Sequence, residues 1–559
     1  MPITKKLNAV RKVAYPCLAV GVTCAVMFAA ADWPTFSGSP GREGWARTER
    51  TFNKDNVSGL DLLYKFQSDN KSKGLYSITS PIIDGLLITY LGFKEMLVFG
   101  GSSDNVYSVD ADLNRLIWKT HFDYNGDARE NRHSTATCPG GLTASLAMVG
   151  SSSSGVTFRR RSQAPIRPGG VLPASLIGGS GFGSVGSFFA VSSDGYVHAL
   201  NPSTGADLIP AVKFVPENSR VSALNLDGNT IYAATTGNCG GIGNALYALD
   251  LGSKDKKVYS YPATGGGITG FAGTAIGSDG TVYVQVPAEQ GTQPDTHHRT
   301  VLALEPLTLH IKDSFMAEDT PKLNEHVEQP AANLLVFSYK SKDFVVAAGD
   351  NGRVYLLDSA SLGGPDHHKP AFETQPIASA ATDYSGYGFR GGFSSWNDAD
   401  TATRWVYASL WGPPQASAKF PMQNGDAANG SIVAFKLTDQ NGDLGLAPAW
   451  ISPNVPAPNA PVTANGLVFA LSTGQPTSLA KAKGKPYSLA EMEKASTHAT
   501  LFALDAASGK QLYSSAGAVG SASLNSGLAI ANGRIYFGAA DNSVYAFGFS
   551  KMNPQLTDK

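Results

Sequence analysis

Charge is scarce in this 559-residue sequence: only 16% of its residues are Asp, Glu, Lys or Arg, and the formal net charge is −1. Without a basic field, the chain is not drawn to nucleic acid. Cysteine is rarer still, at four. There is no Cys-x-x-Cys-His, no Gly-x-Ser-x-Gly elbow and no His-Glu-x-x-His, which excludes an attached c-type haem, the α/β-hydrolase nucleophile and a zincin metal site. Histidine comes as adjacent pairs, His297-His298 and His367-His368. Neighbouring side chains on extended backbone face opposite ways, so neither pair is a ready bidentate ligand.

Helix-favouring runs of Glu and Lys are few, whereas Gly (61) and Pro (32) are plentiful and 42% of residues are hydrophobic. That balance reads as many short strands joined by turns around a large core. The first residues read as an export signal. Lys5, Lys6, Arg11 and Lys12 precede an apolar run from Val13 to Ala31, and Ala29-Ala30-Ala31 supplies small residues for cleavage before Asp32. Residues 1–31 are therefore expected to be a signal peptide, with a periplasmic or secreted product and no integral membrane span after cleavage. Cys17 and Cys24 fall within the leader. Cys138 and Cys239 remain, either as a disulfide or as two buried thiols.

A short strand ending in a polar residue recurs eight times: Tyr107–Asp110, His198–Asn201, Tyr247–Asp250, Leu302–Glu305, Tyr355–Asp358, Val433–Lys436, Phe502–Asp505 and Tyr545–Gly548. Turns such as Ser193-Asp194-Gly195 and Asp350-Asn351-Gly352 lead into it, so each unit reads as a hairpin. After the strand, Gly205, Gly509 and Asn114 occupy a position that calls for left-handed backbone. A lone hairpin cannot bury its apolar face, and small sheets repeated around an axis solve that problem. The fold class expected over 32–559 is a single all-β domain, an eight-bladed β-propeller. Two insertions interrupt it, a Gly/Ser-rich stretch at 149–187 and a segment at 474–498 with a short helix. The strand ending at Phe66 has no hairpin of its own, and it is expected to join the last blade, near Tyr545, and close the ring.

The opening Asp32-Trp33-Pro34-Thr35-Phe36-Ser37-Gly38, with Gly41-Arg42-Glu43-Gly44-Trp45, resembles that of quinoprotein-type propellers. Asp110 to Trp118 is similar to their repeat, in which a terminal Trp docks between blades; Tyr513 and Ile209 stand at the same place in other copies. The resemblance implies a pyrroloquinoline quinone (PQQ) dehydrogenase acting on a small alcohol, sugar or aldehyde, with PQQ and calcium as cofactors. The family also contains non-catalytic assembly propellers, so the alternative is a scaffold that offers its rim to a protein partner. The Gly-rich stretch 388–398 supplies residues of suitable chemistry. Arg390 suits the cofactor's carboxylates and Trp396 its ring face, and with them in the cofactor-binding set Asn397, like Asp398, has oxygens that suit the accompanying calcium. Asp398 is also the candidate catalytic base, and Glu328, Asn333 and Asp398 are the candidate calcium ligands. The adjacent cysteines of the family's alcohol dehydrogenases are absent.

Overall fold

The computed structural model describes residues 31–89, 92–122, 138–149, 186–263, 267–286, 300–318, 332–380, 386–477, 487–524 and 526–550. The segment expected to be a signal peptide (all but Ala31), most of the 149–187 insertion, His297, His298 and Glu328 lie outside these residues.

Eight sheets of four or five strands follow one another along the chain. Every one of the eight repeats noted above forms the third strand of a sheet, as in Asn105–Asp110 of blade 1 and Thr500–Asp505 of blade 7. Their alternation places one row of side chains in each inter-blade core. Neighbouring innermost strands touch in chain order: Leu335–Tyr339 meets Gly388–Asp398, which meets Val462–Ala464, and Ala529–Ala531 meets Ile82–Thr89. The result is an eight-bladed β-propeller. In blade 8 the outermost strand is Asp61–Gln67, which runs antiparallel to Ser543–Gly548 with Lys65 opposite Tyr545.

Among the described residues, two tryptophans at the ends of repeats, Trp118 and Trp450, dock on the next blade's turn. The Trp118 indole N–H donates to Pro202 O of blade 2 at 2.7 Å. That of Trp450 in blade 6 donates to Ala506 O of blade 7 at 3.0 Å. Each indole lies on the glycine of the next blade's turn: a Cβ at Gly205 or Gly509 would stand 2.4 Å from it. Both glycines have φ near +70° (71° and 73°) and Asn114 has φ 49°, as the turn chemistry requires. Tyr513 and Ile209 are half-buried packing residues.

The residues before the first blade do something the repeat does not foretell. Trp33 bridges to Ile83 of blade 1. Met148 N of blade 2 donates to Pro34 O at 2.9 Å, and the Thr35 hydroxyl donates to Leu224 O beside blade 3 at 2.8 Å. Ile276 N of blade 4 donates to Pro40 O (2.9 Å), Val336 N of blade 5 to Gly41 O (2.8 Å) and Ser395 N of blade 6 to Glu43 O (2.8 Å). Ala46 N donates to Thr463 O of blade 7 (2.9 Å), and Gly533 N of blade 8 donates to the Glu49 carboxylate (2.8 Å). The order of partners is the order of the blades. Residues 33–49 thus make one circuit inside the ring, hydrogen-bonded to every blade.

Arg42 anchors that circuit. Only 1% exposed, it donates to Thr274 O (2.9 Å), the Thr35 hydroxyl (2.7 Å), Phe36 O (2.8 Å), Leu224 O (3.2 Å) and Ala272 O (2.9 Å). Five hydrogen bonds reach five oxygens, four of them backbone carbonyls. Burial pulls its guanidinium down to about 9, still protonated at neutral pH.

Candidate functional site

The stretch expected to carry the site, 388–398, is the eleven-residue innermost strand of blade 6 rather than a loose loop. Its glycines serve close packing: a Cβ at Gly391 would stand 2.6 Å from Pro458 O, and one at Gly392 3.0 Å from the Asn333 side chain. A bulge between Phe389 and Phe393 separates two paired portions.

Being a strand, it cannot gather its residues into one place. Eight steps at about 3.3 Å each put Arg390 and Asp398 roughly 25 Å apart, with the Ser395 contact to the inner circuit between them. Asp398 turns into its own hairpin, accepting from Asp400 N at 3.1 Å and the Thr401 hydroxyl at 2.7 Å. Trp396 packs half-buried on the core between blades 6 and 7, and Asn397 is exposed. Asn333 is buried at the other end of the strand. Its carbonyl accepts from Ala272 N (2.8 Å) and its amide donates to Gly391 O (2.5 Å), tying blades 4 and 6 together. The expected calcium set is therefore not assembled: Asn333 and Asp398 stand at opposite ends of the strand, and Glu328 lies outside the described residues. Among the described residues no group of three or more His, Cys, Asp or Glu converges on a metal position.

Arg390 lies near the start of the strand, at one mouth of the ring, and is buried. Its guanidinium lies 5.5 Å from the Trp411 ring centre and donates to Thr477 O at 3.2 Å. At the same mouth the structure brings together three residues that no local signal in the sequence marked. The Arg220 guanidinium sits 5.5 Å from the centre of the Tyr76 ring and 5.8 Å from that of Phe271. Tyr76 leads into blade 1, Arg220 into blade 3 and Phe271 into blade 4. Blades 1 and 3 are not neighbours in the ring, so this contact spans the inner end of blade 2. Burial raises the Tyr76 phenol above its usual range and Arg220 opposes that rise, so Tyr76 remains a neutral donor.

Part of the 474–498 insertion covers this mouth. Its helix, Leu489–Ala495, starts with a capping box from Ser488 and Glu491 and buries Met492 against Leu75, Tyr76, Ala522 and Leu524. Beside Arg220, Cys138 and Cys239 form a disulfide across a sequence separation of 101 residues. These elements gather cationic and aromatic side chains, most of them buried, at one mouth of the ring, and this gathering is called the crater below.

No protein-family model matches the sequence, and no curated protein matches it. Solved structures do. A quinohemoprotein alcohol dehydrogenase from Comamonas testosteroni aligns over 93% of this chain and 81% of its own, at 12% identity and a TM-score of 0.54. Another, from Pseudomonas putida HK5, aligns over 93% and 80%, at 14% identity and 0.56. A europium-containing methanol dehydrogenase aligns over 93% and 98%, at 13% identity and 0.57. The fold is the quinoprotein propeller. At this identity the likeness carries the architecture, and the site must be argued from the residues themselves.

Guanidinium groups pair with carboxylates through parallel N–H donors, and aromatic rings beside them favour a planar π-system. The described donors do not make a divalent-cation site.

Proposed function

We propose that the crater binds PQQ and that the protein is a PQQ-dependent oxidoreductase acting outside the cytoplasm on a small alcohol, sugar or aldehyde. The observation that carries this reading is Arg220, set against both Tyr76 and Phe271 at the mouth of a propeller with the quinoprotein fold. Bound PQQ would supply the two-electron acceptor for the substrate's hydride. Arg220 would hold one carboxylate edge, Arg390 would carry a second charge on the blade 6 side, and Tyr76 and Phe271 would frame the ring face. The insertion helix and the inner circuit would exclude water from above and below. Asp398 has no part in this arrangement. A disulfide fits an oxidising compartment such as the periplasm.

Titration of the purified protein with PQQ, with and without calcium, followed by calorimetry, tests the proposal. Micromolar binding that falls at least about tenfold in Arg220→Ala is expected, since a charge-assisted hydrogen bond contributes about 1.5–3 kcal/mol. Absence of PQQ binding would instead favour the non-catalytic scaffold with a protein partner on its rim.

A further inference from the structure

We infer that the Cys138–Cys239 disulfide is a redox-sensitive staple that sets the position of Arg220 and thereby the crater's affinity for an anionic ligand. The affinity part rests on the PQQ reading; the positional part does not.

The covalent and hydrogen-bonded connections around Arg220 form a closed loop. Arg220 and Val221 make a two-residue strand paired on one side with Thr235 and Thr236 of blade 3. On the other side the Thr143 hydroxyl accepts from Val221 N (2.8 Å) and donates to Val221 O (3.0 Å). Thr143 is five residues after Cys138, and Thr236 is three before Cys239. The disulfide joins those two arms, so the Arg220 strand is clamped between segments that are themselves bonded. Each arm is rich in residues with left-handed φ: Gly140 (74°) and Gly141 (73°) on one, Gly237 (77°) and Asn238 (48°) on the other. Such backbone has many alternative conformations once released. A two-residue strand has few ladder bonds of its own with which to fix the guanidinium it carries.

Opening the staple needs a dithiol reductant. Its thiolate attacks one sulfur, a mixed disulfide forms, and the second thiol resolves it. The S–S bond gains two electrons and two protons to give two thiols, and the dithiol becomes a disulfide. Cys239 is buried and Cys138 half-buried, so attack is expected at Cys138.

The test uses the whole protein in oxidised and dithiol-reduced forms, with Cys138→Ser/Cys239→Ser as a second route and Thr143→Val to break the other arm. Hydrogen exchange of the Val221 amide is read first, without ligand. Exchange at least about tenfold faster in all three, with the amides of blades 5 to 7 unchanged, is expected; unchanged exchange at Val221 overturns the staple. PQQ affinity is then compared, using the serine variant rather than free thiols. A roughly tenfold loss that vanishes when Arg220 is already Ala supports positioning through Arg220. A loss that persists in the Arg220→Ala background overturns it. Failure of the unmodified protein to bind PQQ refutes the function proposed above, while the exchange result still decides the staple.

Discussion

Replacing Arg42 by lysine is expected to harm the protein more than replacing it by methionine, although lysine is the closer residue in charge. The reason lies in two opposed terms. Arg42 satisfies carbonyls at Phe36 and Ala272, for which no other donor stands among the described residues, whereas Leu224 O keeps Thr35 and Thr274 O keeps the Asn225 amide. Leaving two buried carbonyls bare costs about 1–3 kcal/mol each. Against that, burial lowers the guanidinium from 12.5 to about 9, which corresponds to about 5 kcal/mol disfavouring the charge. Methionine loses the hydrogen bonds but relieves the charge, so the two terms nearly cancel. Lysine keeps a buried, more strongly hydrated charge and offers three donors in place of five. It should cost about 3–5 kcal/mol, in line with other disrupted buried charges. At about 2.1 cal/mol/K of unfolding entropy per residue, that lowers Tm by roughly 3–4 °C for a chain of 559 residues. Scanning calorimetry of both variants decides: an Arg42→Lys protein that melts at or above Arg42→Met refutes this accounting.

Gly205→Ala should cost about 3 kcal/mol, from left-handed backbone and a methyl driven into Trp118, and should show as a lower denaturant midpoint with unchanged m. The Asp104 carboxyl is raised by burial to about 6 despite its bonds from Ser193. It binds its proton more tightly folded than unfolded, so its contribution is whole below about pH 4. That contribution is lost as pH rises to about 6, to the extent of about 3 kcal/mol. The stability difference between the natural protein and Asp104→Asn should therefore change over that interval and be flat above it, as read from melting curves at successive pH values. Thiol titration of the unfolded, unreduced mature protein should find no signal from Cys138 or Cys239.

The blades were legible because a hairpin writes itself locally: alternating apolar residues, then Asp-Gly or Asn-Gly, then a polar stop. All eight copies, from Tyr107–Asp110 to Tyr545–Gly548, are third strands for that reason. The crater was not legible because its makers are far apart in the chain. Tyr76, Arg220 and Phe271 meet only once blades 1, 3 and 4 are arranged around the ring, and none sits in a motif. The stretch from Gly388 to Asp398 misled for a physical reason. Glycines that allow a strand to pass close to Pro458 and Asn333 resemble those of a loose binding loop, so residues spread over the depth of the ring looked like one cluster. The docking tryptophans were half visible: Trp118 was read in its repeat, whereas Trp450 was recognised only from its seat on Gly509.

The inner circuit has a consequence for the order of assembly. Residues 33–49, which are made before any strand of a blade during synthesis, take their partners from all eight blades, the last of them at Gly533. They can settle only once some five hundred later residues have been produced and arranged, so native structure cannot grow steadily from the leading end. A chain lacking the residues after Leu528 should leave that early segment open to proteases, however many of its other blades have formed.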